Sequence, residues 1–389
     1  MNSNTLNRIG STTTTQVVCA VVFCTFSLAW LCWFQADLLM VAQHLWSGGQ
    51  THYNRVVSPL VITFALLAIQ RIVFRTTGLA KRTHALTYFP SMLLLAIISD
   101  INPQFSDYCI SSRWWWITPL VLLTWGLVVW VSRLALPFDN SKVNTGFFSR
   151  RVWGNVLQMV MMMLMVAMLS ITNAVAHYRS HVEVSIMNGE LDEALRTGER
   201  SSETDVHLTM LRAYALSLKG QLGERLFEYP IVGHSDDLLP MMKGRSRVVL
   251  LSRDSIYNYF GARPIGISTM NRYFDLLEKD SLATTAVADY RLCGCLIDGR
   301  LDDFAYYLPK YYDVNQPLPK HFREALILYN HLKYNPSLVY KDDVMDEDWN
   351  NFQELRDAYK SPNERKAVLA ERYGGSYWYY YYYCAYRKK

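Results

Sequence analysis

Glutamate is missing from the first 177 residues, and acids of any kind number only four there: Asp37, Asp100, Asp107 and Asp139. Eleven lysines and arginines stand against them, whereas residues 178–389 hold 28 basic and 30 acidic residues. The overall charge of +5 therefore comes from the first part, where the cations flank apolar segments. That pattern excludes a basic groove for nucleic acid, and no nucleic-acid partner is expected. Cysteine is sparse, odd in number and scattered, at positions 19, 24, 32, 109, 293, 295 and 384, which imposes no disulfide framework. The pair in "CGC" at 293–295 has no second thiol pair near it and sits in a helical pattern, so it reads as two small buried residues.

Other absences concern chemistry. The chain has no phosphate-cradling glycine loop, dinucleotide fingerprint, serine elbow or HExxH zinc pair. His177 and His181 lie four apart with Glu183 nearby, but no third ligand is placed beside them. The run "DDVMDED" at 342–348 lacks the ligand spacing and central glycine of a calcium loop, and reads as a solvated charge run preceding a helix. Neither a cofactor nor a metal is expected, and a binding role is favoured over catalysis.

What the sequence does have is five long apolar segments, 17–39, 56–74, 85–99, 114–136 and 152–176. A spanning helix needs about 20 apolar residues, which four of them supply. The third is short and contains Pro90. Counted alternately, the flanking tail and loops place nine basic residues on one side (Arg8, Arg71, Arg75, Lys81, Arg82, Arg133, Lys142, Arg150, Arg151) and two on the other (Arg55, Arg113). Basic loops stay cytoplasmic, so this asymmetry predicts five spans, an N-terminus inside and everything after residue 176 outside. Trp30, Trp33, Trp46, Trp114, Trp115, Trp116 and Trp153 mostly fall near span ends, where amphipathic rings favour the interface. Gln70 and Arg71 are expected to snorkel at the end of the second span. The expected domains are a disordered tail over 1–16, a transmembrane domain over 17–176, a helical domain over 177–373 and a Tyr-rich cap over 374–389.

Residues 177–373 read as helix after helix with short punctuation. Gly189, Gly220 and Gly299 are each followed two residues later by leucine and then by an acid-rich helix start. A glycine closes the preceding helix in the left-handed conformation, and the acids suit the positive end of the next. A looser turn lies at Gly261, and the stretch 229–246, with two prolines and two glycines, is expected to be irregular. Glycine spacings in the range of 31 to 41 residues suggest stacked helical hairpins. In "HLTMLRAYALSLKGQLGERLFEYP", Leu208, Leu211, Tyr214, Ala215 and Leu218 form one helical stripe. Later helices are expected over 347–359 and 362–372.

These parts, together with "LSLKGQLGERLFEYP" at 216–230, "LPKHFREALILY" at 318–329 and "ERYGGSYWYYYYY" at 371–383, resemble an uncharacterised family of bacterial multi-pass membrane proteins with a tetratricopeptide-like C-terminal region. The resemblance implies an architecture and no catalytic residues. The longer tyrosine run and the basic end Arg387-Lys388-Lys389 depart from the family pattern.

The resulting expectation is an all-α protein, a bundle of about five transmembrane helices followed by a helical-hairpin solenoid. It would sit in a bacterial inner membrane, against the lipid bilayer, as a periplasmic scaffold for a protein or peptide partner. The candidate binding surface is Tyr214, Tyr257, Tyr307, Tyr311, Trp378 and Tyr380. The alternative is an envelope enzyme or transport component for lipid-linked or polysaccharide substrates, with a site near Asp37, His52, Arg55 and Asp100. The tyrosine run is too short for a further span and is expected to pack as the terminal cap of the stack, with a peptide or glycan platform as its alternative.

Overall fold

The computed structural model describes residues 3–79, 83–102, 112–134, 149–170, 173–240, 245–264, 266 and 269–385, with side chains from Thr14 onward. The described chain is all-helical and divides into two compact units, Met1–Asn173 and Ala174–Lys389.

The first unit contains α1 (Ser3–Ala29), α2 (Ala36–Ser47), α3 (Val57–Thr77), α4 (Phe89–Ser99), α5 (Trp114–Leu134) and α6 (Arg150–Leu169). Among the described residues four stretches are long and apolar enough to cross a membrane: Thr14–Phe34, Val57–Thr77, Trp114–Leu134 and Arg150–Leu169. The first helix begins at Ser3, inside the stretch expected as a tail over 1–16. The first expected span does not continue to residue 39. A π-helical turn at Trp30–Phe34 and the non-helical Gln35 (φ −112°) break it, and Ala36–Ser47 forms a separate helix stopped by left-handed Gly48. The last apolar helix ends at Leu169 rather than at residue 176.

The short third segment is a 3-10 turn over His84–Tyr88 that leads into α4. Its length, about 25 Å, falls short of a hydrocarbon core of about 30 Å. It is also a well-buried helix of this unit: Ala85, Tyr88, Met92, Leu93, Leu95 and Ala96 are enclosed, with α3 and α6 packed against it. Neutral hydrogen bonds tie the helices together. Ser91 donates to the Leu66 carbonyl (2.8 Å), the Ala85 N–H donates to Asn155 (2.8 Å), and the Trp125 indole donates to the Leu86 carbonyl (3.0 Å). Gln70 does not snorkel. It is buried and donates to the Thr87 hydroxyl at 2.9 Å, a pairing that spares a polar group from an apolar solvent. The opposite pattern appears on α5, where Trp115, Trp116, Leu123 and Trp130 are exposed and the only buried residues are Trp114 and Val129.

The second unit begins with α7 (Ala174–Met187) and α8 (Leu191–Arg196), then α9 (Val206–Leu218) and α10 (Leu222–Arg225). After α11 (Arg253–Phe260) and α12 (Met270–Lys279) come α13 (Ala286–Ile297), α14 (Leu301–Tyr311) and α15 (Lys320–Leu332). It closes with α16 (Asp343–Ala358), α17 (Pro362–Tyr373), α18 (Tyr377–Tyr379) and a π-helical turn over Tyr380–Cys384. The turns at Gly189, Gly220 and Gly299 have φ of 78°, 64° and 69°. In each, the following N–H reaches back five residues: Glu190 to Ser185, Gln221 to Leu216 and Arg300 to Cys295, all at 2.8 Å. This is the glycine-closed helix end that the sequence pattern anticipates.

The core of this unit runs through α9, α13 and α15. Every residue from Leu208 to Ser217 is buried, so α9 is enclosed on all faces rather than along one stripe. Burial extends to charged groups. Glu183 accepts the N–H groups of Val249, Leu250 and Leu251 at 2.7, 2.7 and 3.1 Å, which pins an otherwise irregular loop to α7. Arg212 donates to the carbonyls of Thr197 and Gly198, both at 3.1 Å, and lies over the Tyr229 ring. Cys293 and Cys295 are fully buried, and burial raises both thiols, Cys295 to about 11. The intervening Gly294 leaves room for Met270, whose methyl would lie 2.4 Å from an added Cβ. The acids of 342–348 do not precede their helix but open it: Asp342 caps α16 through the Met345 N–H, and Asp343 and Asp346 lie in its first turn.

The tyrosine segment packs against α15 and the end of α13. Tyr377, Trp378, Tyr379 and Tyr380 are buried. The Trp378 indole donates to the Glu324 carbonyl at 2.7 Å, and the hydroxyls of Tyr377 and Tyr380 donate to the carbonyls of Leu296 and Ile297 at 3.2 and 3.1 Å. Beneath them, His321 Nε2 accepts the Phe227 N–H, while Nδ1 faces Glu324 at 2.9 Å, and Glu324 also accepts the Tyr377 N–H at 2.7 Å.

Candidate functional site

A cleft of the second unit opens where α12 ends, α13 begins and α14 ends. Its volume is about 630 Å³, within the size range of ligand pockets. The 280–285 loop that edges it is fixed on α11. Thr284 donates its N–H to the Phe260 carbonyl at 3.2 Å and its hydroxyl to the Tyr259 carbonyl at 2.8 Å. The loop carbonyl of Leu282 crosses Gly261 so closely that a Cβ there would lie 1.9 Å from it. Ser281, at φ 58°, makes the sharp left-handed turn that sends the chain from α12 toward α13.

Ala283, Val287 and Ala288 give the cleft an apolar wall, and Tyr311 and Tyr312 a ring-bearing one. Glu278 is its charged centre. Lys310 Nζ stands 2.6 Å from Glu278 Oε2, the Tyr311 hydroxyl donates to the same carboxylate, and Arg291 Nη2 lies 3.5 Å away. Burial pushes the Glu278 carboxyl up, but the bonds from Lys310 and Tyr311 and the Arg291 charge outweigh it and hold the group below the usual range. Arg291 is wholly enclosed, paired with Asp275 at 2.6 Å and stacked over the Tyr307 ring at 4.8 Å. Asp289 accepts the Tyr312 hydroxyl at 2.5 Å, and burial raises its carboxyl despite that bond. Both tyrosine hydroxyls are thus committed to carboxylates, which holds their rings in place. A smaller cleft of about 410 Å³ is lined by Arg300, Asp302, Asp303, Lys333 and Tyr381.

Among the six aromatic candidates from the sequence, Tyr311 lines the cleft and Tyr307 supports it through Arg291. The other four belong to the core, not to a surface. Tyr214 packs edge-on against Tyr259, Tyr257 donates to the Pro240 carbonyl at 2.7 Å, and Trp378 and Tyr380 are bonded as described above. Each of the last three rings has a polar handle satisfied by a backbone carbonyl, which is what permits its burial. Glu278, Lys310 and Tyr312 escaped the sequence reading; the local signal was "PKYYD" at 309–313, a basic residue beside paired rings at a helix end.

In the first unit Asp37 pairs with Arg55, and His52 is exposed with its ring stacked against His44. Asp100 accepts Arg113 Nε at 3.0 Å and the Trp114 indole at 2.7 Å, while Arg113 also donates to the Leu169 carbonyl. These contacts clasp the ends of α4, α5 and α6. Among the described residues no group of three or more His, Cys, Asp or Glu side chains is placed to hold a metal ion. His181 lies 3.6 Å from Glu193. The six described cysteines are free thiols; Cys109, Asp107 and the end Arg387-Lys388-Lys389 lie outside the described residues.

A family model described as "Family of unknown function (DUF6057)" matches residues 267–384, a stretch that contains the linings of both clefts and the tyrosine segment. Neither a search of curated proteins nor one of solved structures returns a match.

Proposed function

We propose that this chain is a bacterial inner-membrane protein that crosses the bilayer five times and holds a tetratricopeptide-like helical domain on the periplasmic side. There the domain acts as a scaffold that binds a protein or peptide partner through the Glu278–Tyr312 cleft. The cleft itself is the observation that carries this reading: an open cavity of about 630 Å³ with apolar, aromatic and ionic walls, built on anchored elements. The location draws support from the nine-to-two division of basic residues and from the exposed Trp33, Trp115 and Trp116 at helix ends. The fifth crossing is assigned to His84–Ser99, whose enclosure by neighbouring helices relieves it of matching the bilayer thickness by itself.

The test is site-specific photo-crosslinking in intact cells. A photoreactive residue at Ser281 or Thr285, on the cleft rim, is expected to capture a discrete protein adduct. One at exposed Asp254 is expected to capture none. Equal labelling from all three positions, or none from any, would remove the cleft from the function. A C-terminal reporter active only in the cytoplasm would overturn the periplasmic placement.

A further inference from the structure

The cleft already contains an example of the chemistry it is built to hold. The Lys310 ammonium sits 2.6 Å from the Glu278 carboxylate and 5.4 Å from the centroid of the Tyr311 ring. A carboxylate combined with an aromatic face is the pairing that retains ammonium and guanidinium groups. Lys310 is nevertheless poorly held, because its side chain is 52% exposed and stands on the last turn of α14. Exposed pairs on flexible stems are weak and exchange readily.

The surrounding charges favour an incoming cation. Asp275, Glu278 and Asp289 supply three carboxylates, while Arg291 and Lys310 supply two cations. Arg291 is fully enclosed and committed to Asp275, with Glu278 as its more distant neighbour, so it cannot leave. Were Lys310 to swing out, Glu278 would still receive the Tyr311 hydroxyl and face Arg291, so the carboxylate stays in position. The apolar wall of Ala283, Val287 and Ala288 is suited to the methylene stem of a long basic side chain.

Building on the cleft reading above, we infer that the site receives a lysine or arginine side chain of a partner polypeptide, and that Lys310 is an internal placeholder which this side chain displaces. Arginine is the better competitor, because its planar fork engages a carboxylate through two donors while its face stacks on a ring.

The test uses the full chain in neutral detergent and a fluorescein-labelled acetyl-pentaarginine amide, followed by anisotropy at low salt. Lys310→Ala removes the internal competitor and is expected to tighten binding by roughly fivefold. Glu278→Gln is expected to weaken it by about tenfold or more. Tyr311→Phe keeps the ring and releases one bond to Glu278, so its loss is expected to be smaller. Asp254→Asn, an exposed acid on α11, controls for general surface charge and is expected to leave binding unchanged. Unchanged or weaker binding by Lys310→Ala overturns the placeholder, and that exposed substitution threatens no fold. Equal losses in Asp254→Asn and Glu278→Gln, or binding of acetyl-pentaglutamate that Lys310→Ala abolishes, overturn the cationic ligand. Displacement of the peptide by spermidine at matching affinity would transfer the site from polypeptides to polyamines. If the Ser281 crosslink forms while pentaarginine fails to bind, the cleft still serves a partner and only its ligand chemistry falls.

Discussion

The two units of this chain bury polar groups by opposite means. In the first, the buried polar contacts along the helices are neutral (Gln70 with Thr87, Ser91 with a carbonyl, Asn155 with an N–H), and the buried charge of Asp100 sits at a helix end, paired with Arg113. In the second, whole charges are enclosed, including Arg212, Arg291, Glu183 and the Glu324 carboxylate beside His321. Apolar exposure is reversed as well: α5 buries only two of its 21 residues, while α9 hides ten consecutive ones. A helix bundle bathed in lipid gains little by hiding apolar surface, so weak neutral bonds between helices specify the packing. A domain bathed in water starts from a large apolar gain and can tolerate enclosed charges, provided each finds donors or acceptors.

The comparison is most sharply broken by Trp378→Ala. If the tyrosine segment is true core, deleting this side chain costs the second unit about 3–5 kcal/mol and lowers its thermal midpoint; an unchanged melt would demote the segment to decoration. Glu324→Ala comes next, at about 3 kcal/mol, because the Tyr377 N–H and His321 then lose their buried acceptor. Denaturant titration of the full chain, monitored by tryptophan fluorescence, reads both.

Glu183 provides a pH test. Burial raises its carboxyl, and the N–H bonds from Leu251 and Val249 with the Arg179 charge offset this only in part. The folded domain then holds this proton more tightly than the unfolded chain, so stability falls as pH rises above the ordinary carboxylate range until Glu183 ionises. Glu183→Gln is expected to flatten that part of the profile. Glu278 has the opposite sign: its carboxyl is held low, so its contribution is present above the ordinary range and lost as pH falls through it. The smallest effect is expected in the first unit, where Gln70→Leu exchanges one neutral bond for an apolar contact and costs less than about 1 kcal/mol. A loss as large as that of Glu324→Ala would erase the distinction between the units.

What could be read from the sequence was local. Gly189, Gly220 and Gly299 announced their turns because a helix closed in this way needs a left-handed residue, and Pro362 marked the start of α17. Four of the apolar segments announced themselves by length. The rest depends on which faces meet. Periodicity names one apolar face of α9, but nothing local reveals that neighbours cover the other, so Tyr214 passed for a surface residue. Glu278 and Lys310 are 32 residues apart and become a site only when α12 and α14 converge on the start of α13. The break at Gln35 left no proline or glycine as a sign, since a π-helical turn is made by the same residues that continue a helix.

The bonds of the tyrosine segment also set a timetable. Tyr377 and Tyr380 answer carbonyls at Leu296 and Ile297, 81 and 83 residues upstream, and Trp378 reaches Glu324 across 54. Chains are made from the N-terminus, and a groove awaiting its filling exposes apolar surface while synthesis continues. The helices α13, α15 and α16 therefore remain incompletely packed until residue 380 has been made. Translational pausing or premature termination between residues 332 and 376 would leave this groove open to chaperones and proteases.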